Sequence, residues 1–282
     1  MEKRQLGKTT EQLSVIGFGG IVVTDEESDE ASRIVAQAVD RGISYFDVAP
    51  SYGNAEERLG PALEPYRDQV FLACKTGQRL ADEAKAQLHQ SLEHLRTDHF
   101  DLYQFHGVSS LEDVDKITGP GGALETFVAA REQGLVRHIG FSAHSEEAAL
   151  RLLDAFPFDS MLLPINAACW TKGDFGPRAV EKARQQGTGV LALKSLAKRP
   201  VREGEAKKWP KCWYVPVDTL PEACEALAFT LGQPVTAAIC PGHEELLWLA
   251  CDAIAALDER TADSSENPIV EGEPIFTTTT SP

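Results

Sequence analysis

Four ionisable residues each lie near the end of a short apolar run, and together they could move a proton. Asp47 and Tyr52 occur in YFDVAPSYGNAEERLG (residues 45–60), Lys75 ends VFLACK, and His106 occurs in DLYQFHG. An ammonium group stabilises a phenolate and lowers the pKa of a tyrosine, a carboxylate keeps the ammonium charged, and a histidine can orient a carbonyl oxygen. The set could therefore protonate a carbonyl oxygen or deprotonate an alcohol. It offers no evident nucleophile and no electron carrier, so a hydride donor would have to be a bound cofactor.

Each of the four residues also has a purely structural interpretation. Asp47 could cap a loop before proline, Tyr52 could pack on a rim, and His106 could be a structural histidine. Lys75 is the hardest to explain in this way, because a lysine at the end of an apolar run costs desolvation energy unless it pairs with an anion. Asp47 is the predicted partner, and the combination of four residues favours the chemical interpretation.

Alternating strand-like and helical stretches must position these residues. Eight such alternations favour a single-domain α/β fold, the (β/α)8 TIM barrel, over an open sheet. The first strand ends in GFGG (residues 17–20) and lacks the glycine-rich fingerprint by which an open sheet of the dinucleotide-binding type would be recognised. Active sites of such barrels lie at the carboxyl ends of the strands. The predicted strands are 14–19, 44–49, 70–76, 102–106, 138–142, 161–166, 189–194 and 237–240. The predicted helices are 28–41, 55–63, 82–95, 121–133, 145–155, 175–186, 220–231 and 243–258.

Side-chain alternation within the strands predicts which residues face the inside of the barrel. A period of two places Lys75 inward and Cys74 toward the helices. The predicted inward residues are Phe71, Ala73, Lys75, Leu102, Gln104 and His106.

Composition restricts the class of partner. A net charge of −16 and a pI of about 4.9 argue against nucleic acid or an anionic membrane as a partner. No signal peptide or membrane span is recognisable, and the six cysteines lack C-x-x-C spacing, so we expect a reduced, cytoplasmic chain without a metal site. We expect the barrel to occupy residues 1–263 and an irregular tail to occupy 264–282, with disorder at TTTTSP.

These segments resemble the aldo-keto reductase family. FDVAPSYGNAEERLG resembles the family signature around its Asp and Tyr, CKTG (74–77) its lysine strand and DLYQFHG (101–107) its histidine strand. REQGLVRHIGFSAHS (131–145) is similar to the segment that leads to a nicotinamide-contacting serine. The resemblance runs from RQLGKTTEQLSVIGFGG to about residue 260 and so covers nearly the whole chain.

The resemblance implies an NAD(P)H-dependent carbonyl reductase that acts on a small aldehyde or ketone. Tyr52 would be the general acid, Lys75 and Asp47 its tuning pair, and His106 the group that orients the carbonyl. Ser142 and Asn166 would hold the nicotinamide carboxamide, and Gly20 and Gly242 would lie beside the cofactor.

The residues expected to contact the cofactor depart from the family pattern. Leu193 and Lys194 stand where many relatives have a stacking tyrosine, Ala143 replaces an Asn, and Leu162 replaces a Gln. Pro241-Gly242 is followed by His243 and then by Glu244 and Glu245. The two carboxylates would repel a phosphate, and they could instead bind a ribose hydroxyl or simply begin a helix.

A basic segment follows the seventh predicted strand. Seven basic residues lie between 194 and 211 with only Glu203 and Glu205 among them. We expect Lys194, Ser195, Lys198 and Arg199 to cradle the pyrophosphate or the 2′-phosphate, which favours NADPH and leaves NADH open; the alternative is a solvated loop. The aromatic residues of WPKCWY (209–214) could line a substrate pocket or anchor the loop.

Two other functions stay open at this point. The barrel could be a nucleotide-binding regulatory or sensor protein with little turnover, or a lyase that forms a Schiff base on Lys75. The intact four-residue set argues against the first, and an acidic neighbour of Lys75 argues against the second. The physiological substrate, the direction of reaction and the oligomeric state do not follow from the sequence.

Overall fold

Short parallel strands form the centre of the molecule. The computed structural model describes residues 1–259 and 272–278. Within these residues the strands are β1 (Lys3–Gln5), β2 (Gln12–Ser14), β3 (Ile16–Gly19), β4 (Tyr45–Asp47), β5 (Phe71–Thr76), β6 (Phe100–Val108), β7 (Val136–Ala143), β8 (Ser160–Pro164), β9 (Gly189–Leu193), β10 (Ala197–Pro200), β11 (Tyr214–Pro216) and β12 (Ala237–Ile239). Strands β3 to β9 and β12 pair in parallel into a closed barrel of eight. The predicted (β/α)8 fold is confirmed.

Helices connect the barrel strands and cover the outside of the barrel. They are α1 (Ser28–Asp40), α2 (Ala55–Leu63), α3 (Ala81–His94), α4 (Leu111–Thr118), α5 (Ala123–Glu132), α6 (Glu146–Ala155), α7 (Ala167–Thr171), α8 (Pro177–Gln186), α9 (Leu220–Gly232) and α10 (Glu244–Glu259). All eight predicted helices are present, and α4 and α7 are additional. The local signal for α4 is its capping serine, Ser110, which accepts a hydrogen bond from the Asp113 amide at 3.1 Å. No helix of the described residues is long and apolar enough to cross a bilayer.

Side-chain alternation divides the barrel strands between two buried layers. Cys74 lies in the outer layer between strands and helices, as predicted. All six cysteines are buried free thiols. The inner cluster fills the barrel and consists of Leu6, Leu13, Tyr45, Phe71, Ala73, Leu102, Leu162, Leu191, Ala237 and Ile239. The predicted inward direction of Phe71, Ala73 and Leu102 is therefore confirmed.

The β1–β2 hairpin closes the amino-terminal end of the barrel. It places Leu6 of its loop and Leu13 of β2 in the inner cluster. Gly7 has φ +52° and lies so near Gly187 that an added Cβ would come within 2.4 Å of the Gly187 carbonyl oxygen. Only glycine fits this close approach. The barrel is thus open to ligands at the other end, where the strands finish.

A second hairpin lies above that open end. Strands β10 and β11 pair antiparallel within the segment after β9, where the sequence predicted only a long connection. Residues 272–278, part of the predicted irregular tail, pack on this region, and the Glu273 amide donates to the Lys198 carbonyl at 2.9 Å. The rest of the predicted tail lies outside the described residues.

Candidate active site

The carboxylate of Asp47, at the end of β4, contacts three buried side chains. Its Oδ1 pairs with the ammonium group of Lys75 on the neighbouring strand β5. Its Oδ2 accepts hydrogen bonds from Tyr45 Oη at 3.1 Å and from Gln104 Nε2 at 3.0 Å. The predicted Asp47–Lys75 pair is confirmed. Tyr45 and Gln104 were not predicted as site residues, although alternation did place Gln104 inside the barrel.

Lys75 is charged although it is almost completely buried. Burial is the largest single effect and acts to lower the pKa of Lys75, but Asp47 and Tyr52 together outweigh it and the pKa is raised overall. The ammonium group also donates to the Val48 carbonyl at 3.3 Å. The site therefore holds a fixed positive charge at neutral pH.

Tyr52 reaches the same point from the loop after β4. The loop turns where the Tyr52 amide donates to the Ala49 carbonyl at 3.0 Å, and Gly53 follows with φ +60°. The Tyr52 ring centroid lies 5.3 Å from Lys75 Nζ and makes an edge contact with the His106 ring at 5.6 Å between centroids. The loop thus returns Tyr52 over the open end of the barrel.

The pKa of Tyr52 differs from the sequence-based expectation. Burial raises the pKa of Tyr52, and Lys75 opposes that rise without cancelling it. The sequence predicted a lowered pKa because the ammonium was foreseen but the degree of burial was not. The phenol consequently keeps its proton throughout the neutral range.

His106 is a neutral imidazole in this site. Burial, reinforced by the charge of Lys75, holds the pKa of His106 well below its ordinary value. Its Nδ1 lies 3.3 Å from Ser51 Oγ. Arg79 fixes the backbone by donating to the His106 carbonyl at 2.9 Å. The imidazole can therefore act through a single N–H group.

These residues line one cavity of about 270 Å³ at the open end of the barrel. The four predicted catalytic residues Asp47, Tyr52, Lys75 and His106 all line it. Of the predicted cofactor residues, Ser142, Lys194 and Gly242 line it, whereas Gly20, Asn166, Ser195, Lys198 and Arg199 are not among the lining residues.

Ser142 and Asn166 present polar groups on strand ends next to this cavity. Ser142 Oγ accepts a hydrogen bond from the Gly107 amide at 2.7 Å. Asn166 caps α7 by accepting from the Cys169 amide at 2.9 Å, and its Nδ2 donates to the Lys194 carbonyl at 3.1 Å. Asn166 thus joins the end of β8 to the end of β9.

The basic segment 194–211 is mostly neutralised by carboxylates, four of the five from outside the segment. Among the described residues, only Lys194 and Lys207 of its seven cations make no ion pair. The five pairs are Lys198–Glu222, Arg199–Glu205, Arg202–Glu273, Lys208–Asp218 and Lys211–Glu26. The positive patch that the sequence suggested is therefore much weaker in three dimensions.

Lys194 enters the cavity from the side opposite Lys75, since β9 is four strands from β5 in either direction around the barrel. Its backbone is left-handed, with φ +59°. Its Nζ lies 3.2 Å from His144 Nε2, 5.5 Å from the centroid of the Trp213 ring and 5.4 Å from that of Phe276. Burial, with the charge of Lys75 acting in the same direction, lowers the pKa of Lys194 to about 7. The sequence did not predict His144 and Phe276 as neighbours of this site. The only local signal was the position of His144, two residues after Ser142.

The aromatic residues of WPKCWY divide between the two predicted roles. Trp213 and Tyr214 line the cavity. Trp209 anchors the loop, because its Nε1 donates to Asp218 at 3.1 Å and its ring packs on His243 at 5.1 Å. The loop therefore both supplies cavity wall and holds itself to the barrel.

The start of α10 contains the two glutamates that follow Gly242. Glu244 accepts hydrogen bonds from Arg33 at 2.7 Å and from Trp248 Nε1 at 2.7 Å. Glu245 is exposed in the same first turn. Glu244 is thus engaged in holding the helix start, where the helix dipole favours acids.

Known proteins similar to this chain agree with the geometry. The model of the Aldo/keto reductase family matches residues 15–211. The uncharacterized oxidoreductase YqkF of Bacillus subtilis is 31% identical over 157 residues, covering 51% of this chain and 49% of that protein. The aldo-keto reductase YhdN of the same organism is 30% identical over 187 residues, covering 59% of this chain and 54% of that protein. The chain therefore spans about half the length of these curated relatives.

A solved structure supports the fold over a longer range. The aldo-keto reductase AKR11C1 of Bacillus halodurans, in its holo form, superimposes with a TM-score of 0.72. It is 24% identical and the match covers 95% of this chain and 94% of that chain. At this identity the likeness bears on the fold alone.

Proposed function

The chain belongs to the aldo/keto reductase family, and we propose that it is an oxidoreductase that uses NAD(P)H to reduce an aldehyde or ketone to an alcohol. One observation carries the proposal: a protonated phenol, a charged lysine and a neutral imidazole line a single cavity at the open end of the barrel. These are the groups needed to receive a carbonyl oxygen and to protonate it.

Tyr52 is the proposed proton donor. Its raised pKa keeps the phenol protonated at neutral pH, which is the form that a general acid requires. Donation to the carbonyl oxygen leaves a phenolate, which the neighbouring ammonium group of Lys75 stabilises by its charge. Asp47 keeps Lys75 charged and in place. The phenolate then regains a proton from solvent.

His106 is proposed to orient the carbonyl group. When the Ser51 hydroxyl donates to Nδ1, the imidazole hydrogen resides on Nε2, which can donate to the carbonyl oxygen. Because His106 is neutral, it polarises that oxygen without delivering a second proton. A nicotinamide cofactor, when bound, would supply the hydride for the carbonyl carbon.

The residues proposed to hold the cofactor have groups that fit it. The Ser142 hydroxyl accepts one hydrogen bond and still has its own hydrogen to donate to a carboxamide oxygen. Asn166 has a second amide hydrogen beside the same strand ends. Gly242 lies just before α10, and a helix N-terminus attracts phosphate. A Cβ at Gly20 would meet the Val48 side chain at 2.7 Å, so a larger residue would disturb the wall of the site.

NADPH is the proposed form of the cofactor, with NADH as the alternative. Lys207 is the residue proposed to attract a 2′-phosphate, because it is exposed in the basic segment and has no ion pair among the described residues. Direct phosphate contacts by Lys198 and Arg199 stay a prediction, since their pairs with Glu222 and Glu205 compete with them. Fluorescence titration with each nucleotide measures the preference.

Substitution of Tyr52 by Phe tests the proposed mechanism. We expect Tyr52→Phe to lower kcat for aldehyde reduction by about 100-fold or more, in line with the loss of a general acid. The assay follows NADPH oxidation with a panel of aldehydes. Tyr66→Phe is the matched control, because Tyr66 lies at the barrel exterior, outside the cavity-lining residues. Normal reduction by Tyr52→Phe would overturn the assignment.

The same assays separate the two other functions considered from the sequence. A regulatory protein would bind the nucleotide tightly without turning over any aldehyde. A Schiff-base enzyme would need a neutral amine at Lys75, and the raised pKa of Lys75 opposes that.

A further inference from the structure

We infer that Lys194 recognises an anion in the substrate site, so that the carbonyl substrate carries a carboxylate. This inference rests on the proposed carbonyl reduction and names the substrate class within it. The neighbouring predicted cofactor residues Lys198 and Arg199 do not line the cavity, but Lys194 does, together with Tyr52 and His106.

The backbone holds Lys194 in place at a cost. A left-handed conformation costs a residue other than glycine on the order of 1–3 kcal/mol, so the surroundings must maintain it. The Lys194 carbonyl accepts hydrogen bonds from Asn166 Nδ2 at 3.1 Å and from the Ala197 amide at 3.0 Å. This geometry turns the side chain into the cavity, away from the carboxylates that pair with the rest of the segment.

When Lys194 is protonated, the charges of the cavity wall do not balance without a ligand. Asp47 neutralises Lys75, and Glu26 neutralises Lys211 at 2.9 Å. The lining histidines, His106 and His144, are uncharged because burial holds their pKa values well below the ordinary range. Lys194 is therefore the one lining cation without a carboxylate contact among the described residues. An anion would restore the balance.

The contacts of the Lys194 ammonium group supply only part of what a buried charge requires. His144 Nε2 lies at hydrogen-bonding distance, and the Trp213 and Phe276 rings offer cation–π contacts. None of these carries the negative charge that a buried ammonium pairs with best. A carboxylate entering the cavity would supply both the charge and hydrogen-bond acceptors.

The position of Lys194 favours the substrate as the source of this anion. The charge of Lys75 acts on Lys194, and the charge of Lys194 acts on His106. Lys194 also lines the same cavity as Tyr52 and His106, the groups proposed to handle the carbonyl. The cofactor phosphates are proposed above to lie beside Gly242, before α10, and so do not require Lys194.

Anion binding should be coupled to protonation of Lys194. The pKa of Lys194 is about 7 in the free protein, and the titratable groups that act on it or contact it are Lys75, Cys169 and His144. A bound carboxylate raises this pKa, so affinity for a carboxylate should be high below pH 7 and fall as the pH rises through that value. A neutral ligand should show no such dependence.

Matched aldehydes test the inference through turnover. Wild-type protein, Lys194→Met, Lys194→Arg and Lys208→Met are assayed with the three isomers of carboxybenzaldehyde and of nitrobenzaldehyde. For the best isomer, we expect the ratio of kcat/KM for the carboxylate over the nitro compound to fall at least tenfold in Lys194→Met. Lys194→Arg should recover most of the ratio. Lys208→Met removes an exposed charge of the same segment and should leave the ratio within twofold of wild type.

A binding assay keeps the inference testable if no aldehyde is reduced, an outcome that would overturn the proposed function alone. Quenching of tryptophan fluorescence by benzoate is compared with quenching by benzamide at pH values from about 6 to 9. Benzoate affinity should fall with pH in wild type and stay level in Lys194→Arg, whose guanidinium does not titrate there.

Three results would overturn the inference. The first is an unchanged substrate ratio and unchanged benzoate affinity in Lys194→Met. The second is a tenfold loss of NADPH and NADH affinity in that variant with the ratio intact, which would assign Lys194 to a cofactor phosphate. The third is borohydride trapping of an aldehyde on Lys194 without cofactor, which would make it an imine-forming amine.

Discussion

The ammonium nitrogen of Lys75 lies 5.3 Å from the centroid of the Tyr52 ring. The same ammonium group pairs with Asp47, whose other oxygen is held by Tyr45 and Gln104. Position and charge of the lysine are thus set by a buried network before any ligand arrives. This network places a fixed positive charge next to the phenol that is the proposed proton donor.

Breaking the Asp47–Lys75 pair should destabilise the protein strongly. Asp47→Asn leaves a charged lysine buried without its counter-charge, which typically costs about 3–5 kcal/mol. Lys75→Met leaves the carboxylate with two neutral donors only. We expect the double variant to lose less free energy of unfolding than the sum of the single variants, because it removes both charges. Denaturant unfolding of the four proteins measures this coupling.

An exposed ion pair provides the control for that cycle. Arg41 and Asp252 lie 2.8 Å apart on the surface, and Asp252→Asn should cost no more than about 1 kcal/mol. If Asp47→Asn were as mild as this control, the buried network would not have the importance we assign to it.

The pH profile of reduction should be flat through the neutral range. A general acid must be protonated, so kcat/KM falls only as the pH rises through the pKa of Tyr52, which burial places above its ordinary value of about 10. His106 contributes no change to the pH profile near pH 7, because its imidazole is already uncharged there. The measurement uses nitrobenzaldehyde, because it carries no carboxylate whose binding would depend on the charge of Lys194. A descending limb centred near pH 7 or 8 would instead support the lowered pKa expected from the sequence.

The sequence predicted the barrel and the centre of the site for physical reasons. Period-two alternation determines which side chains face inward, and this correctly placed Lys75 and His106 among the residues that line the cavity. The desolvation cost of a lysine in an apolar strand implied an anionic partner, and Asp47 on the adjacent strand is that partner. Both inferences use only local pattern and the neighbour order of strands.

What the sequence did not predict depends on contacts between distant segments. The basic segment after β9 looked unpaired because its partners Asp218, Glu222 and Glu26 lie outside it along the chain. Phe276, from a segment predicted to be an irregular tail, packs against Lys194 and Trp213 of the cavity wall. The direction of the Tyr52 pKa shift depends on burial, which no local motif encodes.

Cofactor preference should respond differently to two residues of the basic segment. Arg199 is held by Glu205 through hydrogen bonds of 2.8 and 2.7 Å. Arg199→Ala should therefore loosen the loop and weaken the binding of NADPH and of NADH by similar factors. Lys207 is exposed and free of ion pairs among the described residues, so Lys207→Ala should raise the Kd for NADPH about three- to tenfold more than that for NADH. Fluorescence titrations of both variants decide the question. If Arg199→Ala lost affinity for NADPH but not for NADH, the result would support the phosphate contact predicted from the sequence.

Removing the Phe276 side chain should release residues 272–278 without unfolding the barrel. The ring is buried against His144 at 5.1 Å, Phe175 at 5.3 Å and Trp213 at 5.8 Å between centroids, so it joins this segment to the cavity wall. In Phe276→Ala we expect faster proteolysis near the carboxyl end and a higher KM for carboxylate-bearing aldehydes, because Trp213 and Lys194 lose a packing partner.

We expect Phe276→Ala to lose less free energy of unfolding than a variant that truncates a side chain of the core. Truncating a core phenylalanine to alanine costs about 3–5 kcal/mol because a cavity remains. Phe127→Ala is the matched comparison, since Phe127 is fully buried between helix and barrel and stacks on Phe105 at 4.0 Å. The terminal segment can detach where the core cannot, so denaturant unfolding should show a smaller loss for Phe276→Ala than for Phe127→Ala. Equal losses would mean that residues 272–278 unfold together with the barrel and belong to its cooperative core.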